Sequence, residues 1–145
     1  MRVWRLASGR YDPLTGEGAR LAGGRWNPEG IPAVYATGSL SLAVLETLVH
    51  ARPDRLPDDL VAFELDVPDD APFEELVELP EHWNSVNAPV ACHDIGRDWV
   101  LSKRSLVLVV PSVVVPVERV YILNPLHPRF GKVVVSATRR HPSAG

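Results

Sequence analysis

Cysteine is nearly missing from this chain: Cys92 is the only one among 145 residues. An intrachain disulfide is therefore excluded, and a cysteine-built zinc site has too few thiolates. Long apolar runs are missing too. Hydrophobic residues make up 46% of the chain, yet no uninterrupted stretch approaches the ~20 residues of a membrane helix. The opening Met1-Arg2-Val3-Trp4-Arg5-Leu6 lacks the apolar segment and small-residue cleavage site of a secretory signal. A cytoplasmic protein with no membrane association is expected.

Several catalytic signatures are equally lacking. No Lys-Ser or Lys-Thr closes a six-residue glycine frame, and no G-x-G-x-x-G stands between a strand and a helix, which removes support for ATP hydrolysis and hydride transfer. There is no Gly-x-Ser-x-Gly elbow, and in Cys92-His93-Asp94 contiguous side chains diverge and cannot form a relay. His82, His93 and His127 have no spacing suited to a metal, and read as surface or capping histidines. No metal or prosthetic group is expected.

Charge is unevenly distributed behind the net value of −3. Residues 1 to 30 carry five arginines against three acids, whereas residues 54 to 81 carry eleven acids against Arg55 alone. The acidic belt would repel nucleic acid phosphate. It reads either as solvated surface or as a docking face for a basic partner. The small positive end suits one or two phosphates better than a polymer backbone.

The length predicts one domain, residues 1–145, around one core. No repeat or low-complexity tract interrupts it, and the 14 prolines are scattered as punctuation between short elements. Strands are predicted at Val3–Leu6, Ala33–Thr37, Leu60–Val67, Phe73–Leu79, Ser105–Val110, Val113–Val117 and Lys132–Ala137. In Leu60–Val67, residues Val61, Phe63, Leu65 and Val67 share the face expected to be buried. A glycine-rich loop spans Ser8 to Gly30. A helix is predicted from Leu40 to about His50, capped by Ser39 and apolar on nearly every face, so that burial all round is expected. Val90 to about Ser102 is a second, weaker helix candidate. The sum is an α+β fold with a mixed sheet core and few helices.

Three side chains carry chemistry. Arg25 follows Gly23-Gly24, which permits unusual backbone geometry, and precedes Trp26-Asn27-Pro28, which stiffens the loop; its fork of donors could grip phosphate bidentately. A salt bridge to Glu17 or Glu29 is the plainer alternative. Tyr35 sits in a strand, as many core tyrosines with a rim hydroxyl do. Glu46 is the only acid of its helix and needs a hydrogen-bonding partner or a task; His50, one turn on, is one such partner. A guanidinium, a phenol and a carboxylate in this order suggest a pocket for a diphosphate, a flat ring and a ribose.

Six ordered blocks together resemble the RES domain family, the toxin half of bacterial RES-Xre toxin–antitoxin pairs, named for an Arg, a Glu and a Ser. They are Trp4-Arg5-Leu6, Gly24-Arg25-Trp26-Asn27-Pro28-Glu29-Gly30, Val34-Tyr35-Ala36-Thr37, Leu42-Ala43-Val44-Leu45-Glu46, Val110-Pro111-Ser112 and Ile122-Leu123-Asn124-Pro125. The resemblance spans nearly the whole chain, and the Gly-Arg-Trp-Asn-Pro block is its most specific part. It implies a fold similar to ADP-ribosyltransferases and an enzyme that consumes NAD+ as substrate, cleaving its nicotinamide–ribose bond and arresting growth. It implies Glu46, Arg25, Tyr35 and Ser112 as catalytic residues, with Arg25, Tyr35, Asn27, Arg5 and Asn124 binding the nucleotide. An Xre-type helix-turn-helix antitoxin is the implied partner, with room for a homo-oligomer inside that complex.

The acceptor of ADP-ribose, whether water, phosphate or a protein side chain, stays open at this level, and so does ADP-ribosylation of one specific cellular protein. An RNA-cleaving toxin using His93 or His127 with Arg is the competing reading. The acidic belt and the absence of interleaved aromatic and basic residues oppose it.

Overall fold

The structure, a computed structural model, describes residues 1–50 and 58–140. One seven-stranded sheet runs through them. Its strands are β1 (Arg2–Ser8), β2 (Val34–Thr37), β3 (Leu60–Asp66), β4 (Phe73–Glu75), β5 (Val107–Pro111), β6 (Arg119–Leu123) and β7 (Val134–Arg140), in the order β4-β5-β6-β2-β1-β3-β7. Only β4 and β5 are parallel; every other pairing is antiparallel. Among the described residues three α-helices accompany the sheet: α1 (Glu17–Ala22), α2 (Leu40–His50) and α3 (Val90–Ser102). This is the mixed α+β architecture expected from the pattern of elements, and α2 and α3 have the bounds read from the sequence. Ser39 caps α2 as expected, its Oγ accepting the Leu42 amide hydrogen at 3.2 Å.

Alternation sorts the strand residues onto two faces. On one, Val3, Val34, Ala36, Val61, Phe63, Leu65, Val107, Val109 and Leu123 form a continuous apolar core under loop residues such as Ala71 and Val133. The predicted buried face of β3 is therefore the observed one. On the other, Leu108, Val110 and Ile122 pack with Trp26 and with Cys92, Trp99 and Val100 of α3. The buried Trp99 Nε1–H donates to Ser105 Oγ at 2.7 Å, so its polar edge is satisfied inside the core.

Two expectations about elements are corrected. Val113–Val117 is no strand but a turn in which Ser112 Oγ accepts amide hydrogens from Val114 and Val115 at 3.1 and 3.0 Å. Those local bonds, between Pro111 and Pro116, override the β propensity of three consecutive valines. The strand comes just after, at β6. The helix α2 is also not buried all round: Leu42 and Ala43 are buried, but Leu45, Leu48 and Val49 are 43%, 55% and 59% exposed. It lies against β1 and β2 on one side only, so a uniformly apolar sequence leaves an uncovered stripe. Smaller departures are α1, inside the stretch read as loop, and β4, which stops at Glu75.

The acidic belt is largely paired with the chain's own cations. Asp59 meets Arg10 at 3.1 Å, Glu64 meets Arg2 at 2.8 Å, Asp70 meets Arg129 at 2.8 Å, Glu74 meets Arg104 at 2.9 Å and Glu75 meets Arg119 at 3.1 Å. The Arg129 guanidinium, bonding to Asp70, holds that carboxyl below its ordinary range. These pairs fit the reading of a solvated surface. Asp54 and Arg55 lie outside the described residues.

Candidate active site

The Gly-Arg-Trp-Asn segment turns tightly, with the Gly24 amide donating to the Asn27 carbonyl at 2.9 Å. Gly23 takes φ 74, a left-handed value that a side chain would resist. At the tip, Trp26 is buried against α3, and Arg25 lies along a cavity. The segment is locked from two sides. A Cβ on Gly24 would stand 2.7 Å from both Tyr35 Oη and Asn27 Oδ1, and a Cβ on Gly96 of α3 would overlap the Trp26 carbonyl. Only glycine permits both approaches.

That cavity has a volume of about 1060 Å³, at the top of the ~300–1000 Å³ range of small-molecule sites and roomy enough for a dinucleotide. Its walls come from β1 (Trp4, Arg5), β2 (Tyr35, Thr37), α2 (Glu46, Thr47, His50), the Arg25 loop, the segment Val86-Asn87-Ala88, His93 of α3, and Pro111, Val113 and Val120. Four candidates from the sequence, Arg5, Arg25, Tyr35 and Glu46, thus share one cleft. A fifth, Ser112, is fully buried behind it and donates its hydroxyl to Glu46 Oε1.

Each side chain is held in a definite way. Glu46, 18% exposed, has its second oxygen, Oε2, 3.0 Å from His50 Nε2. The plainer alternative of a Glu46–His50 pair therefore coexists with the Ser112 contact. Arg25 makes neither of the ion pairs considered for it, since Glu17 binds Arg20 at 2.8 Å. It donates instead to the backbone carbonyls of Trp83 at 2.8 Å and Val86 at 3.5 Å, tying down the segment that forms one wall. A guanidinium has five N–H donors, so several remain for a ligand. Tyr35 Oη–H donates to Asn27 Oδ1 at 2.6 Å and accepts the Trp26 amide hydrogen at 3.1 Å. Burial raises its pKa far above the ordinary phenol value, against the opposing Trp26 amide hydrogen bond and the nearby Arg25 charge, so it stays a neutral ring.

Arg5 Nη1 donates to the Tyr35 carbonyl at 3.2 Å, while its buried Nε has no partner among the described residues. Burial pulls its pKa down from the ordinary arginine value. An enclosed cation with an unmet donor is suited to an anionic ligand.

Two nucleotide-binding candidates lie outside the cavity lining. Asn27 is fully buried, and its Nδ2 donates to the carbonyls of Ala19, Pro28 and Ile31 at 2.9, 3.2 and 2.9 Å. Asn124 is equally buried and bridges β6 to α3, donating to the Val100 carbonyl at 3.0 Å and accepting from Leu126 N–H at 2.9 Å. Both amides meet the hydrogen-bonding demands of the fold itself. His93, read from the sequence as a surface or capping histidine and otherwise only as a base for RNA cleavage, lines the cavity, and so does the segment 86–88, which sequence reasoning missed; no spacing signal relates either to Arg25. Cys92, beside them, is buried, and burial raises its pKa, which keeps the thiol inert.

The arrangement offers one carboxylate, two guanidinium groups and an aromatic ring around a cleft of dinucleotide size. Such a set can stabilise a developing cation at one point while binding phosphates at another. The family model of the RES domain matches residues 2–143. A "Toxin Res" from Photorhabdus laumondii subsp. laumondii is 39% identical over 142 residues, spanning 96% of this chain and 91% of that protein. A "Prs ADP-ribosylating toxin" from Sphingobium sp. is 39% identical over 133 residues, covering 86% of this chain and 83% of that one. Among solved structures, the M. tuberculosis MbcT–MbcA toxin–antitoxin complex contains a chain that superposes with a TM-score of 0.74 at 19% identity, over 97% of this chain and 83% of its own. At that identity the likeness concerns the fold.

Proposed function

The chain belongs to the RES domain family, and on that premise we propose that it is the toxin of a toxin–antitoxin pair that consumes NAD+ by breaking the nicotinamide–ribose bond. The observation that carries this reading is the convergence of Glu46, Arg25 and Tyr35 on one cavity, with Ser112 anchoring the carboxylate from behind.

Cleavage at ribose C1′ passes through an oxocarbenium-like state, as in glycoside hydrolysis. Ionised Glu46 stabilises that cation and accepts hydrogen bonds from ribose hydroxyls, and Ser112 fixes its orientation. Nicotinamide leaves as a neutral molecule from a cationic ring, so no strong general acid is required. Arg25, together with Arg5, binds the diphosphate, and Tyr35 presents a neutral ring for the nicotinamide. Asn27 acts indirectly, by orienting the Tyr35 hydroxyl. The ADP-ribose then passes to an acceptor. Transfer to a protein side chain is the finer reading favoured by the relative named an ADP-ribosylating toxin; water and phosphate are the other acceptors.

The rest of the proposal follows from the family: residues 1–145 act as a single domain, in the cytoplasm, without a prosthetic group, neutralised by an Xre-type helix-turn-helix antitoxin in a complex that can hold more than one toxin copy. The test is release of nicotinamide from NAD+ by the purified chain. Glu46→Gln should lower kcat by ~10²–10³-fold, the scale of one preorganised electrostatic group, with an unchanged melting temperature. A variant as fast as the unmodified chain removes Glu46 from the chemistry.

A further inference from the structure

We infer that His50 is a positioning residue for Glu46, holding the second carboxylate oxygen so that the carboxylate plane is fixed before substrate arrives. This rests on the NAD+-cleaving reading of the cavity. Glu46 and His50 are one helical turn apart on α2, and both line the cleft. The side chain of Glu46 is clasped at both ends. Ser112 Oγ–H donates to Oε1 from its fully buried place just past β5, and His50 Nε2–H donates to Oε2 at 3.0 Å from the rim, where the imidazole is 47% exposed.

One hydrogen bond leaves a carboxylate free to swing about its terminal torsion, which is broad and soft. Two bonds, one to each oxygen and from different elements, remove that freedom. A carboxylate has about four acceptor positions. Ser112 and His50 take one each, and the remaining lone pairs stay available for ribose hydroxyls. The rigid anchor comes from the core and the adjustable one from the rim, so His50 supplies what Ser112 alone does not: the rotational setting of the charge relative to C1′. Orientation of this kind acts on the transition state more than on ground-state binding. Its loss should therefore appear in kcat and leave KM nearly untouched.

Two variants test this, in the full chain with NAD+ as the probe. His50→Leu removes the donor and keeps bulk; His50→Gln keeps an N–H near the place of Nε2. Nicotinamide release should fall roughly 10–100-fold in kcat for His50→Leu, the scale of one hydrogen bond to a charged group, with unchanged KM and unchanged NAD+ affinity by calorimetry. His50→Gln should recover most of that loss. A His50→Leu enzyme with the kcat of the unmodified chain overturns the inference, and so does a His50→Gln enzyme as slow as His50→Leu. Either result leaves the NAD+ reading standing, whereas absence of nicotinamide release by the unmodified chain would end that reading and the inference together.

Discussion

The two faces of the sheet are built by opposite rules. On one, Val3, Leu65, Val107 and Leu123 interlock with almost no polar atom among them, and every side chain is replaceable only by something of the same shape. On the other, next to the Trp26–Trp99 cluster, a cleft opens whose walls hold arginine, glutamate, tyrosine and histidine, most of them tied to a named partner. Stability and chemistry thus reside on different faces. The packed face stabilises the fold through removed apolar area, and the open face holds groups still through hydrogen bonds, at a cost in packing that the first face can support.

That contrast can be tested on each side. The largest effect on stability should come from Leu65→Ala on the packed face: Leu65 has 0% exposure, and a buried leucine truncated to alanine loses ~2–5 kcal/mol. Denaturant titration should show this as a lower midpoint, while NAD+ turnover per folded molecule is retained. A variant with normal stability would mean that the face is less tightly packed than the geometry implies. Gly96→Ala comes next. Its Cβ would run into the Trp26 carbonyl, so α3 and the Arg25 turn must separate, costing ~1–3 kcal/mol as overpacking does. Because the same turn carries Arg25, NAD+ affinity should weaken too, by calorimetry, which joins the two rules in one residue. The smallest effect belongs to neither face: Arg104→Ala, breaking the exposed contact with Glu74, should change stability by less than about 1 kcal/mol and leave turnover alone.

Much of this was legible beforehand, for reasons tied to particular residues. The helix α2 carries its own start signal in Ser39 and an uninterrupted helical composition to His50, so its bounds followed from local chemistry. The buried face of β3 followed from alternation alone. Arg25, Tyr35 and Glu46 stand within 22 positions of one another, near enough in the chain for one loop, one strand and one helix to gather them. Val113–Val115 misled because propensity is a local prior, and a single hydroxyl at Ser112 satisfied the competing turn. Asn27 and Asn124 look like ligands by residue type, and each also bonds to remote backbone that no local pattern could have assigned, Asn27 to the Ala19 and Ile31 carbonyls and Asn124 to the Val100 carbonyl.

What the amino-acid order determined alone is whatever depends on neighbours a few residues apart: the element types, the apolar face of each strand, the unusual backbone at Gly23-Gly24, and the presence of one acid in an apolar helix. Which distant groups meet was set by the folded chain. Ser112 reaches Glu46 across 66 positions, Arg25 reaches the Trp83 carbonyl across 58, and Gly96 makes room for the Trp26 backbone. The reason is physical: such contacts form when sheet order and helix packing close the chain on itself, and a hydrogen bond between remote residues leaves no periodic trace in either segment.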